Sequence, residues 1–118
     1  MDLHASIQRI DHIDPRTAVV AISGALRMSD DLKTVNNTLQ QLIVDGITRI
    51  ILDLGACPFV DSAGLGTLIH TYGLLSERNG SLRLAAANDR ISALIHMTHT
   101  QTMLPIDPTP TQALEHLT

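Results

Sequence analysis

The spacing of apolar residues changes several times along the chain, and each change predicts an element. From Ala5 to Asp11 the alternation is loose, with Ile7 and Ile10 as inward positions, which predicts a weak edge strand. Asp14-Pro15-Arg16 is a turn signal, because proline presets its backbone angle and aspartate bonds neighbouring amides. Thr17 to Ser23, carrying Val19, Val20 and Ile22, predicts a β-branched strand that closes at Gly24 and makes a hairpin with the first. Leu32, Val35, Leu39, Leu42 and Ile43 then recur at three and four, one helical stripe with caps offered by Ser29-Asp30-Asp31 before it and Gly46 after it. Thr48 to Leu54 is the most apolar run and predicts the most buried strand. Leu65, Leu68, Ile69, Tyr72 and Leu75 return to helical spacing and end near Asn79-Gly80. Ser81 to Ala86 predicts a strand, and Asp89 the cap of a helix carrying Ile91, Leu94, Ile95 and Met97. Met103 to Ile106 predicts a last strand that Pro105 confines to an edge or a very short run. Pro110 opens a final helix with Ala113, Leu114 and Leu117 on its face.

Two strands followed by helix and strand in alternation predict an α/β fold: one mixed sheet of about four to five strands with about four helices packed on it. The length of 118 residues suits one domain spanning 1–118. A composition of 44% hydrophobic and 17% charged residues suits a packed core rather than disorder. Phe59 and Tyr72 are the only aromatic residues, too few to stack single-stranded bases. With a formal charge of −4 and Lys33 as its only lysine, the chain offers no basic patch for nucleic acid or anionic lipid. One cysteine, Cys57, excludes an internal disulfide and favours a reducing compartment. Met1-Asp2-Leu3-His4 has no basic flank, and no run approaches the roughly 20 apolar residues of a membrane span. The expectation is a cytoplasmic protein without membrane insertion.

The candidate chemistry gathers where the buried strand turns into a helix, since functional groups in open α/β sheets collect beyond the carboxyl ends of strands. There Asp61 and Ser62 stand at a predicted helix start, followed by Gly64 and Gly66. A hydroxyl or carboxylate at that position is an ordinary helix cap. The two glycines each weaken the first turn by about 1 kcal/mol relative to alanine, so they need a separate reason: close approach of another protein, or packing. From the residues alone, capping and switching both remain open. The other candidates have plainer readings. His96 and His99 have no cysteine or carboxylate pattern to complete a metal site. His70 reads as a surface or boundary residue, and Ser62 lacks the Gly-x-Ser-x-Gly elbow of a hydrolase. Asp53 reads as a solvated strand-end carboxylate or part of a docking surface, and Cys57 as a small boundary residue before Pro58. Gly64 and Gly66 lack the glycine-lysine ending of a phosphate-binding loop, so neither nucleotide nor any other cofactor is expected.

Gly24 after a strand, the Ile50–Leu54 strand and Val60-Asp61-Ser62-Ala63-Gly64-Leu65-Gly66 resemble the STAS domains of bacterial anti-sigma factor antagonists. Segment order and length agree from about Ser6 to Leu117. The resemblance implies a non-enzymatic binding protein whose acceptor serine, here Ser62, is phosphorylated by a serine kinase that is also the anti-sigma factor. A serine phosphatase would reverse the modification. It places partner binding at Arg27, Asp61, Ser62, Ala63, Gly64, Leu65 and Gly66. Ala63 stands where relatives often have Ser or Thr, which leaves Ser62 as the acceptor. Arg27, in Gly24-Ala25-Leu26-Arg27, stands where many relatives have an acidic turn. An arginine there would alter the choice of kinase or pair with a phosphate. STAS domains also serve as non-switching scaffold subunits of stress-sensing or lipid-transport assemblies, which is the alternative reading. An edge strand and low charge density permit a homo-oligomer.

Overall fold

A five-stranded mixed sheet with four helices carries the chain in the computed structural model, which describes residues 4–117. The elements are β1 (Ser6–Asp14), β2 (Thr17–Ser23), α1 (Asp30–Val44), β3 (Arg49–Ala56), α2 (Ser62–Ser76), β4 (Ser81–Ala85), α3 (Asp89–Met97), β5 (Ile106–Asp107) and α4 (Pro110–Glu115). The strand order is β1-β2-β3-β4-β5, with β1 antiparallel to β2 and every later pairing parallel. The hairpin and the alternating helices produce this order directly, because a helical crossover returns the chain to a parallel neighbour.

Ile7 and Ile10 both pack against the core although their spacing of three should set them on opposite faces of a strand. The register explains it. Ile7 pairs with Ile22 and Arg9 with Ala21, so Gln8 is an extra residue that flips the alternation. The bulged, charged β1 also makes a poor template for edge-to-edge pairing.

The larger core lies on one face of the sheet. Val20, Ile22, Ile50, Leu52, Leu54, Leu82 and Leu84 meet the predicted stripe of α1, Leu65, Leu68 and Leu75 of α2, and Ile91 and Ile95 of α3. On the other face Val19, Ile51 and Ala85 are covered by Ala113, with Leu114 and Leu117 packed against them. The buried carboxylate of Asp107 ties this second layer together, accepting from Arg83 Nε at 2.6 Å and bonding His116 Nδ1 at the end of α4. Burial would raise the Asp107 carboxyl, but bonding to Arg83 and His116 outweighs it and holds the group below the ordinary aspartate value.

Three expectations shift. The last strand is Ile106–Asp107 rather than Met103–Ile106: residues 100–104 coil back, with Leu104 N–H on Thr100 O, and Pro105 has no amide hydrogen to give a ladder. Asn88, not Asp89, caps α3, its side chain accepting from Ile91 N–H at 2.9 Å. Met97 is 78% exposed and contributes nothing to the face of that helix. Cavity formation at fully buried Leu52 therefore separates from truncation at Met97. Leu52→Ala should lower unfolding free energy in urea by about 2–5 kcal/mol, and Met97→Ala by less than about 0.5 kcal/mol. A comparable loss at both positions would contradict the packing described.

Candidate functional site

Two loops leave the sheet side by side at the carboxyl ends of β2 and β3. Gly24, at φ +84°, turns the first loop away from β2 in a conformation that favours glycine. Its N–H bonds Ala56 O at 3.0 Å. Leu26 N–H then bonds Phe59 O at 3.1 Å and Leu26 O accepts from Asp61 N–H at 3.0 Å, a one-residue parallel bridge between Leu26 and Val60. The bridge extends the pairing of β2 and β3 to the start of α2. It also sets Arg27 opposite Asp61, one step beyond Leu26 and Val60.

Asp61 performs two jobs with one carboxylate. Oδ1 accepts the Gly64 N–H at 2.8 Å and so caps α2, while Oδ2 accepts the Met28 N–H at 2.9 Å from the neighbouring loop. Partial burial alone would raise this carboxyl. The amides of Gly64, Met28 and Ala63, helped by the Arg27 charge, outweigh that effect and hold it below the ordinary aspartate value. Asp61 is therefore a carboxylate near neutral pH. Of the two candidate caps it is the one used, and Ser62 is the first residue of α2, exposed to solvent.

The glycines divide. A Cβ at Gly64 would stand 2.1 Å from Leu26 O, so glycine is required there by the close approach of the two loops within the chain. Gly64 and Leu65 are both buried. Gly66 is exposed, and a Cβ added there would meet nothing within 4 Å, so packing gives no reason for it. Of the residues singled out in the sequence, the structure brings Arg27 opposite Asp61, both partly buried, with exposed Ser62 following Asp61 in the chain. Ala63 is half-buried beside them, and Gly64 and Leu65 form the support beneath.

The remaining candidates are placed elsewhere. Gln40 of α1 bonds His70 Nε2 at 3.0 Å, pairing it across the helices rather than with Ser62. His96 is in α3, whereas His99 lies beyond its end at φ +57°, so the two do not share a helix face. Cys57 is buried, and that burial pushes its thiol up despite a contact from Sγ to Phe59 O at 3.4 Å. Asp53 Oδ1 accepts the Gly55 N–H at 3.0 Å, closing the end of β3. Among the described residues no cluster of three or more His, Cys, Asp or Glu could hold a metal ion. No helix among them is long and apolar enough to cross a membrane.

Sequence reasoning singled out Gly24 and Arg27 in the loop after β2 but missed the residue that anchors it. That anchor is Leu26, which is fully buried, and its only signal was an apolar side chain in the turn between Gly24 and Arg27. It also missed Asn88, whose side-chain amide donates to Pro58 O at 2.9 Å, and Arg90, which lies 4.7 Å from the centre of the Phe59 ring. Both fix the second loop from the α3 side.

The family model of the STAS domain matches residues 5–113. Over 69 residues the chain is 29% identical to an anti-sigma F factor antagonist from Paenibacillus polymyxa, covering 58% of this chain and 59% of that protein. The match thus spans less than two thirds of that curated relative. The crystal structure of an anti-sigma factor antagonist from Mycobacterium paratuberculosis superposes with a TM-score of 0.83 at 25% identity, covering 96% of this chain and 93% of that one. The Bacillus cell fate determinant SpoIIAA in its phosphorylated form gives a TM-score of 0.74 at 16% identity, covering 93% of this chain and 98% of that one, which is a likeness of fold.

The two glycines provide a direct check on this geometry. Gly66→Ala should stabilise the protein by about 0.5–1 kcal/mol, the helix-propensity gain at an open position. Gly64→Ala should destabilise it, because its Cβ meets backbone that cannot move without parting the loops. Paired thermal melts read both, and stabilisation by Gly64→Ala would contradict the loop contact.

Proposed function

The chain belongs to the STAS domain family, and we propose that it is an anti-sigma factor antagonist whose partner binding is switched by phosphorylation of Ser62. One observation carries the reading: Asp61 does the capping, so the neighbouring serine is exposed at the first position of α2 without that structural duty. The names of the relatives from Paenibacillus and Mycobacterium support the class of function. A protein of this fold, the Bacillus determinant, exists in a phosphorylated form, which supports the modification.

In this reading the unmodified surface around Ser62 docks on an anti-sigma factor and frees the sigma factor. Arg27, Asp61, Ala63 and Gly66 flank the hydroxyl, with Met28, 77% exposed, beside them. Gly64 and Leu65 act from beneath by holding the corner in shape. The anti-sigma factor is also the kinase that modifies Ser62, and a serine phosphatase returns the protein to its binding form. Chemistry belongs to those partners; this chain is a binding protein.

Phosphorylation adds about −1.5 to −2 charges at neutral pH beside the ionised Asp61. The amino end of α2 tolerates the added charge, the helix dipole being worth roughly 0.3–1 kcal/mol at an exposed site. A docked partner does not, because enclosing unpaired charge at an interface costs several kcal/mol. At about 1.4 kcal/mol per decade, affinity falls by two orders of magnitude or more.

Incubation with the cognate serine kinase and ATP, followed by phosphopeptide mapping, is expected to place one phosphate on Ser62 and none on Ser62→Ala. Ser62→Asp should bind that kinase about 100-fold more weakly than the unmodified protein. Equal, tight binding by wild type, Ser62→Ala and Ser62→Asp would overturn the switch and favour the non-switching scaffold.

A further inference from the structure

Arg27 sets a cation against the acceptor corner, and its bonding is incomplete. Leu26 O and Met28 N–H, its two backbone neighbours, both bond Asp61, which seats Arg27 opposite that residue, the residue that immediately precedes Ser62 in the chain. The guanidinium charge acts on the Asp61 carboxylate, yet Nε is buried with no hydrogen-bond partner. A buried N–H without an acceptor is costly, and it is rarely left so without reason. The Asp61 carboxylate accepts the amides of Gly64 and Met28 and makes no hydrogen bond to Arg27 Nε. Arg90, another arginine near these loops, lies over the Phe59 ring.

We propose that Arg27 is the internal partner of a phosphate on Ser62, its guanidinium turning onto the phosphoryl oxygens and giving Nε–H the acceptor it lacks. The inference rests on Ser62 being the acceptor. A planar guanidinium binds phosphate through paired N–H donors, which an ammonium group cannot reproduce. The pairing assigns Arg27 two successive tasks. In the unmodified protein it stands at the docking surface beside exposed Met28. Once Ser62 is modified it is drawn onto the phosphate, so the modification removes a donor from that surface as well as adding charge. The arginine in place of an acidic turn thereby sets the stability of the modified state.

The test installs phosphoserine at position 62 during translation, so no kinase is needed. Phosphorus NMR then follows the second ionisation of the phosphate with pH. With Arg27 present the midpoint should lie about 1 pH unit below that of Arg27→Gln, with Arg27→Lys between them. In the wild-type background the Arg27 Nε–H proton resonance should move downfield on phosphorylation and titrate with the same midpoint. This second reading does not depend on any Arg27 variant folding. Equal midpoints in wild type and Arg27→Gln, or an Nε–H resonance indifferent to the phosphate, would overturn the proposal. Intact pairing together with partner binding that ignores the phosphate would support the Arg27 assignment and sink the switch, so the two failures are distinguishable.

Discussion

The carboxylate of Asp61 is the constraint on which the corner depends. It closes the first turn of α2 through Gly64 and holds the loop after β2 through Met28. Neither bond is unusual alone. Together they require the two loops to lie in one register, and that register decides which residues face solvent. Because a cap is needed and Asp61 provides it, the next residue is relieved of the role. An exposed serine at the first position of a helix follows from its neighbour's chemistry.

The support beneath is steric. Gly64 lets the helix start press against Leu26 O, and fully buried Leu26 anchors its loop in the core shared by β2, β3 and α2. The corner is therefore built on rigid elements, with only its outer atoms accessible. Such a surface can change its charge without changing its shape. In the proposed function this separates two properties: the backbone of the corner keeps the same register before and after modification, and the electrostatics of Ser62, Asp61 and Arg27 decide whether the partner stays.

Local spacing made much of this legible. The stripe from Leu32 to Ile43 reports which face of α1 is buried, and the β-branched strand at Thr17–Ser23 and the apolar run before Leu54 mark strands covered on both faces. The departures arise where a distant contact overrides local pattern. The extra residue at Gln8 is set by pairing with β2, and the two-residue β5 by the partners of β4. At the site, Asp61 and Ser62 were visible as alternatives that only the tertiary partners could separate. The choice rests on Gly64 and Met28, and Met28 is 33 residues away from Asp61 in the chain. The same limit applied to Gly64, whose two readings, a partner's approach and internal packing, were told apart by Leu26.

Calorimetric titration of the cognate anti-sigma factor kinase against the protein with unmodified Ser62 and with phosphoserine installed there bears on all of this at once. The unmodified chain should bind, and the phosphorylated chain should bind at least about 100-fold more weakly with its fold unchanged by circular dichroism. Affinities that agree within twofold would contradict a switch at Ser62.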